Sequence, residues 1–218
     1  MDPVLGALAA QIQVPRPVAE VPVLPALRPL LPAGGLRPGT AVRVQGSTAL
    51  ALALTAAATT AGTWCAVIGC GDLGLGAAME LGVDLERVHL VDRPGSHWEA
   101  AAAAYTEAAG VVLLRPPAGV GGQSAARLLA LARRNGCALV VDGTWPGAQV
   151  QLDVVGRSWN GIAAGRGRLR GRRLRVAVGG RGAAARGGEA ALWLPDEDGR
   201  VRLDEPARRQ HARLAAVR

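Results

Sequence analysis

Lysine is absent from the 218 residues, so all 25 basic side chains are arginine. Phenylalanine is absent too, and aromatics make up only 3% of the chain, so a core must be built from Leu, Val and Ala. Cys65, Cys70 and Cys137 are an odd number with no paired framework, and they read as buried thiols of a reducing cytoplasm. Met1-Asp2-Pro3 lacks the basic start of a secretory signal. The longest apolar run, Thr48–Gly62, is too short and too rich in Ala and Thr to span a bilayer. His89, His97 and His211 have no metal-ligand spacing with one another or with the cysteines. No G-x-S-x-G nucleophile motif occurs. These absences point to a soluble cytoplasmic protein without a membrane segment, a disulfide scaffold, a metal or another cofactor.

Half of the chain is apolar, enough for one good core. The net charge of +8 is unevenly placed. Residues 1–154 carry 10 Arg against 11 acids, and residues 155–218 carry 15 Arg against 6. The densest stretch is Arg166–Arg175, with Arg166, Arg168, Arg170, Arg172, Arg173 and Arg175. Such a cluster suits phosphate backbones or an acidic protein surface. It equally suits a solvated, exposed antiparallel edge whose positive charge blocks aggregation.

Element signals alternate along the chain. After proline-punctuated residues 1–33, where Val4–Gln13 and Ala26–Leu31 fit short helices and Val14–Val23 an extended path, a Gly-rich turn launches a strand at Ala41–Val44. Helices are expected at Ala49–Ala61, Leu75–Leu81, Ser96–Ala108 (Ser96 as N-cap) and Gln123–Asn135, ended by Gly136. Apolar strands are expected between them at Thr63–Ile68, Val88–Val91, Val111–Leu114 and Ala138–Val141. This alternation predicts a mostly parallel sheet covered on both faces. Gln149–Ser158, Arg172–Val178 and Ala190–Leu194 read as antiparallel strands extending it, with turns at Asn160-Gly161 and Gly179-Gly180.

Val42–Leu54 has the strand, glycine turn and helix of a phosphate-binding loop, with Gly46, Ser47 and Thr48 at the turn. Counting from Gly46, the second glycine, the lysine and the hydroxyl residue of that motif are replaced by Ala51, Leu52 and Ala53. The loop is vestigial. Gly69–Gly74 matches G-x-G-x-x-G after a strand, with Asp92 about 20 residues on, the offset of a dinucleotide fingerprint. A tight turn at the end of a parallel strand is the simpler reading. Gly119–Ser124 fits an anion-binding turn or, with its Pro-rich entry, a crossover loop.

From Leu30–Gly39 (LLPAGGLRPG) through the strand and helix that follow, then Gly62–Ile68, Leu81–Asp84 and Val88–Val91, the chain resembles the RecA-like recombinase core. Within that group it resembles the short accessory proteins of actinobacterial mutagenesis cassettes, the ImuA-prime type. The resemblance implies a RecA-like α/β fold and a place beside a Y-family-like protein, ImuB, and an error-prone C-family polymerase. Three positions depart from a working ATPase. The phosphate loop lacks its lysine and hydroxyl; Gly69–Asp72 stands where the water-activating glutamate belongs, with Asp72 near it; and Arg115 follows strand Val111–Leu114 where a metal-holding acid belongs. Gly143–Ala148 leaves little room for a long DNA-binding loop.

The expected organisation is an N-terminal arm (1–33), a RecA-like core (34–195) and a basic tail (196–218). The expected function is a non-catalytic adaptor in SOS translesion synthesis, binding ImuB and through it polymerase, sliding clamp or RecA, with sequence-independent DNA contact through the arginine cluster. A cytoplasmic protein, nucleoid-associated during damage, is expected. The alternatives are a SulA-like cell-division inhibitor and a nucleotide-binding enzyme, either a degenerate ATPase or a dinucleotide-dependent oxidoreductase.

Overall fold

A computed structural model describes residues 20–117, 120–163 and 166–204. The helix expected at Val4–Gln13, most of the extended path before Val23, and the tail from Glu205 lie outside the described residues, as does the side chain of Arg166. The strands are β1 Ala41–Gln45, β2 Cys65–Ile68, β3 Val88–Val91, β4 Val111–Leu114, β5 Ala138–Asp142, β6 Val150–Ala163, β7 Arg166–Gly180, β8 Gly188–Trp193 and β9 Arg202–Leu203. The α-helices are α1 Thr48–Thr60, α2 Leu75–Glu80, α3 Trp98–Ala108 and α4 Gly122–Asn135. Among the described residues nine strands form one sheet in the order β3-β2-β4-β5-β1-β6-β7-β8-β9. The first six in that order are parallel and the remainder antiparallel. The expected α/β architecture, a mostly parallel sheet flanked by helices and lengthened by antiparallel strands, is what the chain adopts.

Parallel strands must hide both faces, and β2, β4 and β5 are buried along their whole length. One face is covered by α1, whose Leu50, Ala51, Leu52, Ala53 and Leu54 are all buried, together with Val21, Leu27, Leu30 and Leu36 from the N-terminal segment. The other is covered by α3 and α4 through Trp98, Ala102, Tyr105, Ala125, Leu128 and Ala132. Small alanines in α1 and α3 let the helices sit close to the sheet, which suits a chain with few aromatics. Gly136 ends α4 in the left-handed conformation, φ 69°.

Several local expectations change. Ser96 does not cap α3; a 3-10 turn, Gly95–His97, precedes the helix, and His97 occupies the cap position with no side-chain bond. Asn160-Gly161 is a bulge and not a turn, because β6 and β7 continue past it as a longer hairpin. Gly161, at φ 104°, is needed there: a Cβ would collide with the Arg168 carbonyl. Gly179 and Gly180 stay in the ladder opposite Gln151 and Val150. Nor is Arg166–Arg175 a sheet edge throughout, since β8 covers β7 from Arg173 to Val178.

Residues 20–33 are built into the body. Val21 bridges Leu36 by two backbone hydrogen bonds, and a 3-10 helix, Pro25–Leu30, packs Leu27 and Leu30 completely out of solvent. Beyond residue 195, β9 pairs with β8 in the same way. If this segment is core, Leu27→Ala will cost about 2–5 kcal/mol. Urea denaturation monitored by circular dichroism measures it; a loss below about 0.5 kcal/mol would mark the segment as a detachable appendage.

Candidate functional site

In an open α/β sheet the C-terminal ends of the parallel strands form the natural site. Here four adjacent strands, β2, β4, β5 and β1, deliver Asp72, Arg115, Asp142 and Thr48 to that edge. β1 ends at Gln45, and only Gly46 and Ser47 separate it from α1. Gly46 takes φ 88°, and Ser47 is the helix N-cap, its hydroxyl accepting from the Leu50 N–H at 3.2 Å. This turn caps its own helix and is shorter than a full phosphate-wrapping loop. The Gly46 carbonyl accepts a hydrogen bond from Arg157 of β6, which seals the turn from the side.

Thr48 and Arg115 fill the space above the turn. The Arg115 guanidinium donates from Nε to Asp142 Oδ2 at 2.9 Å, from Nη2 to Thr48 Oγ1 at 2.7 Å, and from Nη1 to Asp72 Oδ1 at 2.5 Å. Thr48 Oγ1 in turn donates to Asp142 Oδ2 at 2.8 Å. All three guanidinium nitrogens are therefore engaged, and the planar fork is fixed between two carboxylates. Hydrogen bonding from Arg115, then its charge, holds the Asp72 carboxyl below the ordinary carboxylate range. Burial alone would lower the Arg115 pKa, but Asp72 and Asp142 outweigh it and the net shift is upward. The Arg115 charge is thus committed to two carboxylates within the fold.

Among the described residues no group of three or more His, Cys, Asp or Glu side chains is placed to hold a metal ion. His89 lies in an aromatic stack, 4.9 Å from Trp64 and 5.8 Å from Tyr105 between ring centroids. Burial pushes the Cys65 thiol up to about 12 and Cys70 to about 11, and raises Cys137 as well, so these are unreactive packing groups.

The G-x-G-x-x-G stretch has a packing explanation. Gly69, at φ 79°, lies so close to the Arg115 carbonyl that any Cβ would collide with it. A Cβ on Gly71 would come within 3.2 Å of the Asp92 carbonyl. Both glycines let the turn after β2 nest between the ends of β3 and β4. The helix that follows, α2, has six residues.

The expected arginine surface is divided. Arg173 pairs with Asp204 at 2.5 Å and Arg175 with Glu189 at 3.5 Å, both bracing β8 and β9. Arg172 donates to the Leu194 carbonyl at 2.8 Å. Arg168 and Arg170 stand further out on the hairpin, with no hydrogen-bond or ion-pair partner among the described residues. Sequence reasoning noted Arg115 only as a missing acid and gave Asp142 no role. The legible signal was an aspartate closing an apolar strand next in the sheet to one closed by arginine.

A family model described as the MT3502 N-terminal domain matches residues 29–147. The matched region contains Thr48, Asp72, Arg115 and Asp142 and ends before β6. The chain is also 37% identical over 131 residues to the uncharacterized protein Rv3395c of Mycobacterium tuberculosis, a span of 56% of this chain and 62% of that relative's length.

Arg115→Ala removes the cation beside a nearly buried Asp142 and should destabilise the fold by about 1–3 kcal/mol. A folded-state pKa held low contributes stability above the ordinary carboxylate range and loses it as pH falls. NMR titration of the Asp72 carboxyl should therefore show its pKa rising toward the ordinary value in the variant, with the matching acid-side stability loss diminished. An unchanged Asp72 titration would refute the pairing.

Proposed function

The chain belongs to the MT3502 N-terminal domain family, and from that premise we propose that it is a non-catalytic RecA-like adaptor of the ImuA-prime type, acting in damage-induced translesion synthesis. The observation that carries the reading is the Arg115 guanidinium fixed among Thr48, Asp72 and Asp142 at the mouth of the vestigial phosphate loop. In a RecA-like ATPase that space receives the triphosphate and its metal. A cation there opposes metal binding, and the flanking carboxylates oppose the phosphates. The hydroxyl of Thr48 is already shared between Arg115 and Asp142.

The strand order and the polar edge support a RecA-like scaffold from which turnover has been given up while its outer surfaces remain. The mycobacterial relative supports an actinobacterial setting. In that setting the partner is an ImuB-like Y-family homologue, with the error-prone C-family polymerase, the sliding clamp and RecA reached through it. The working location is the cytoplasm, at the nucleoid during damage. Among the described residues no helix is long and apolar enough to cross a membrane.

Two measurements test this. Co-expressed with the ImuB-like protein, the chain should co-purify with it, and deleting its gene should abolish damage-induced mutagenesis; normal mutagenesis without the gene would end the adaptor reading. Calorimetric titration with Mg-ATP should give no saturable binding. ATP turnover that disappears in Thr48→Val would end the non-catalytic one.

A further inference from the structure

From Val154 to Gly188 the chain contains nine arginines and no aspartate or glutamate. Much of this stretch is the β6–β7 hairpin. β6 is flanked by β1 only over Val150–Asp153, and β7 by β8 only from Arg173 onward. Arg172 still exchanges backbone hydrogen bonds with Leu194 and Pro195; further out the two strands pair with each other and project as a ribbon. An unpartnered ribbon would usually be polar throughout. This one exposes Val155, Trp159 and Leu169, each to about half of its full area (49%, 51% and 48%).

Trp159 pairs directly with Arg172, and Arg157 with the buried Leu174. Paired positions share a face, so Arg157, Trp159 and Arg172 lie together on the face that continues outward from the core. The Arg172 guanidinium stands over the indole at 5.5 Å from the ring centroid. Burial, and then the charge of Arg157, lower the Arg172 pKa, as expected of two cations with no carboxylate between them. Arg168 and Arg170 follow across the bulge at Gly161.

We propose that this ribbon face binds single-stranded nucleic acid, with Trp159 stacking against a base and Arg157, Arg168, Arg170 and Arg172 holding the flanking phosphates. An exposed indole beside arginines supplies both parts of sequence-tolerant single-strand binding, a stacking platform and a cationic track. An acidic protein would use the arginines and leave the indole idle. A duplex offers phosphates but no free base face at this position. The site does not depend on the adaptor reading, because it requires only the purified chain.

The test is fluorescence anisotropy with a labelled oligothymidylate of about 20 nucleotides, between about 50 and 200 mM salt. The wild-type protein should bind it more tightly than a duplex of the same length. Trp159→Ala should weaken binding about tenfold at every salt concentration, while Trp159→Phe retains most of it. The double variant Arg168→Ala/Arg170→Ala should flatten the salt dependence by about 1.4 in log–log slope. An oligouridylate of equal length tells DNA from RNA as the source of the same chemistry. Thermal melts confirm that the variants are folded, and the arginine pair keeps the test open should Trp159→Ala fail to fold. Equal binding of duplex, an unaltered affinity in folded Trp159→Ala, or displacement by polyglutamate as effective as by unlabelled oligonucleotide would each overturn the proposal.

Discussion

The polar edge of the parallel sheet depends on the three-way contact of Arg115 with Asp142, Thr48 and Asp72. Parallel strands end with their side chains and helix N-termini converging on one rim, and in a phosphate-binding protein the ligand satisfies that rim. Asp142 stands there almost wholly buried, at 9% exposure, and an isolated carboxylate in that position would be costly. A guanidinium is the side chain best shaped to meet it, because its fork reaches a carboxylate, a hydroxyl and a second carboxylate at once. The same contacts tie β4 to β5, the start of α1 and the turn after β2, so the network closes the fold at its most polar point.

That closure accounts for neighbouring features. Gly69 must lack a side chain because the Arg115 backbone passes beneath it. Ser47 caps α1 with its own hydroxyl, so the helix terminus has a partner without an anion. Arg157 takes the Gly46 carbonyl and joins this rim to the base of the β6–β7 ribbon.

The parallel half of the fold was legible in the sequence because apolar runs bounded by glycines are what strands buried on both faces require. Val88–Val91 and Val111–Leu114 fall where the apolar pattern places them. The antiparallel half was legible in kind but not in extent. Asn160-Gly161 carries the chemistry of a turn, yet a glycine at positive φ serves equally well inside a bulge, and only long-range pairing decides between the two. At the site, local motifs revealed what was missing. The Arg115–Asp142 pair joins residues 27 positions apart through the adjacency of β4 and β5, and no local spacing encodes it. Ser96 misled for a related reason: Glu99 stands three residues on, at capping-box spacing, but Ser124 of α4 donates to it at 2.8 Å, so that glutamate is already engaged between helices.

The distribution of charge follows from the same division. Over residues 1–154 acids and arginines nearly balance, and the rim shows how: arginine there is held by carboxylates and spent inside the fold. Beyond residue 154 arginines outnumber acids by more than two to one, and three of the acids, Glu189, Asp204 and Asp196, are taken by Arg175, Arg173 and Arg202. Positive charge therefore accumulates where the two strands leave the sheet, beside an indole that no core residue covers. Internal ion pairing silences one end of the molecule, and its absence leaves the other end cationic. With the charges of the rim paired internally, the arginines without a partner among the described residues stand on the projecting hairpin, and that is the surface on which an external partner would be felt first.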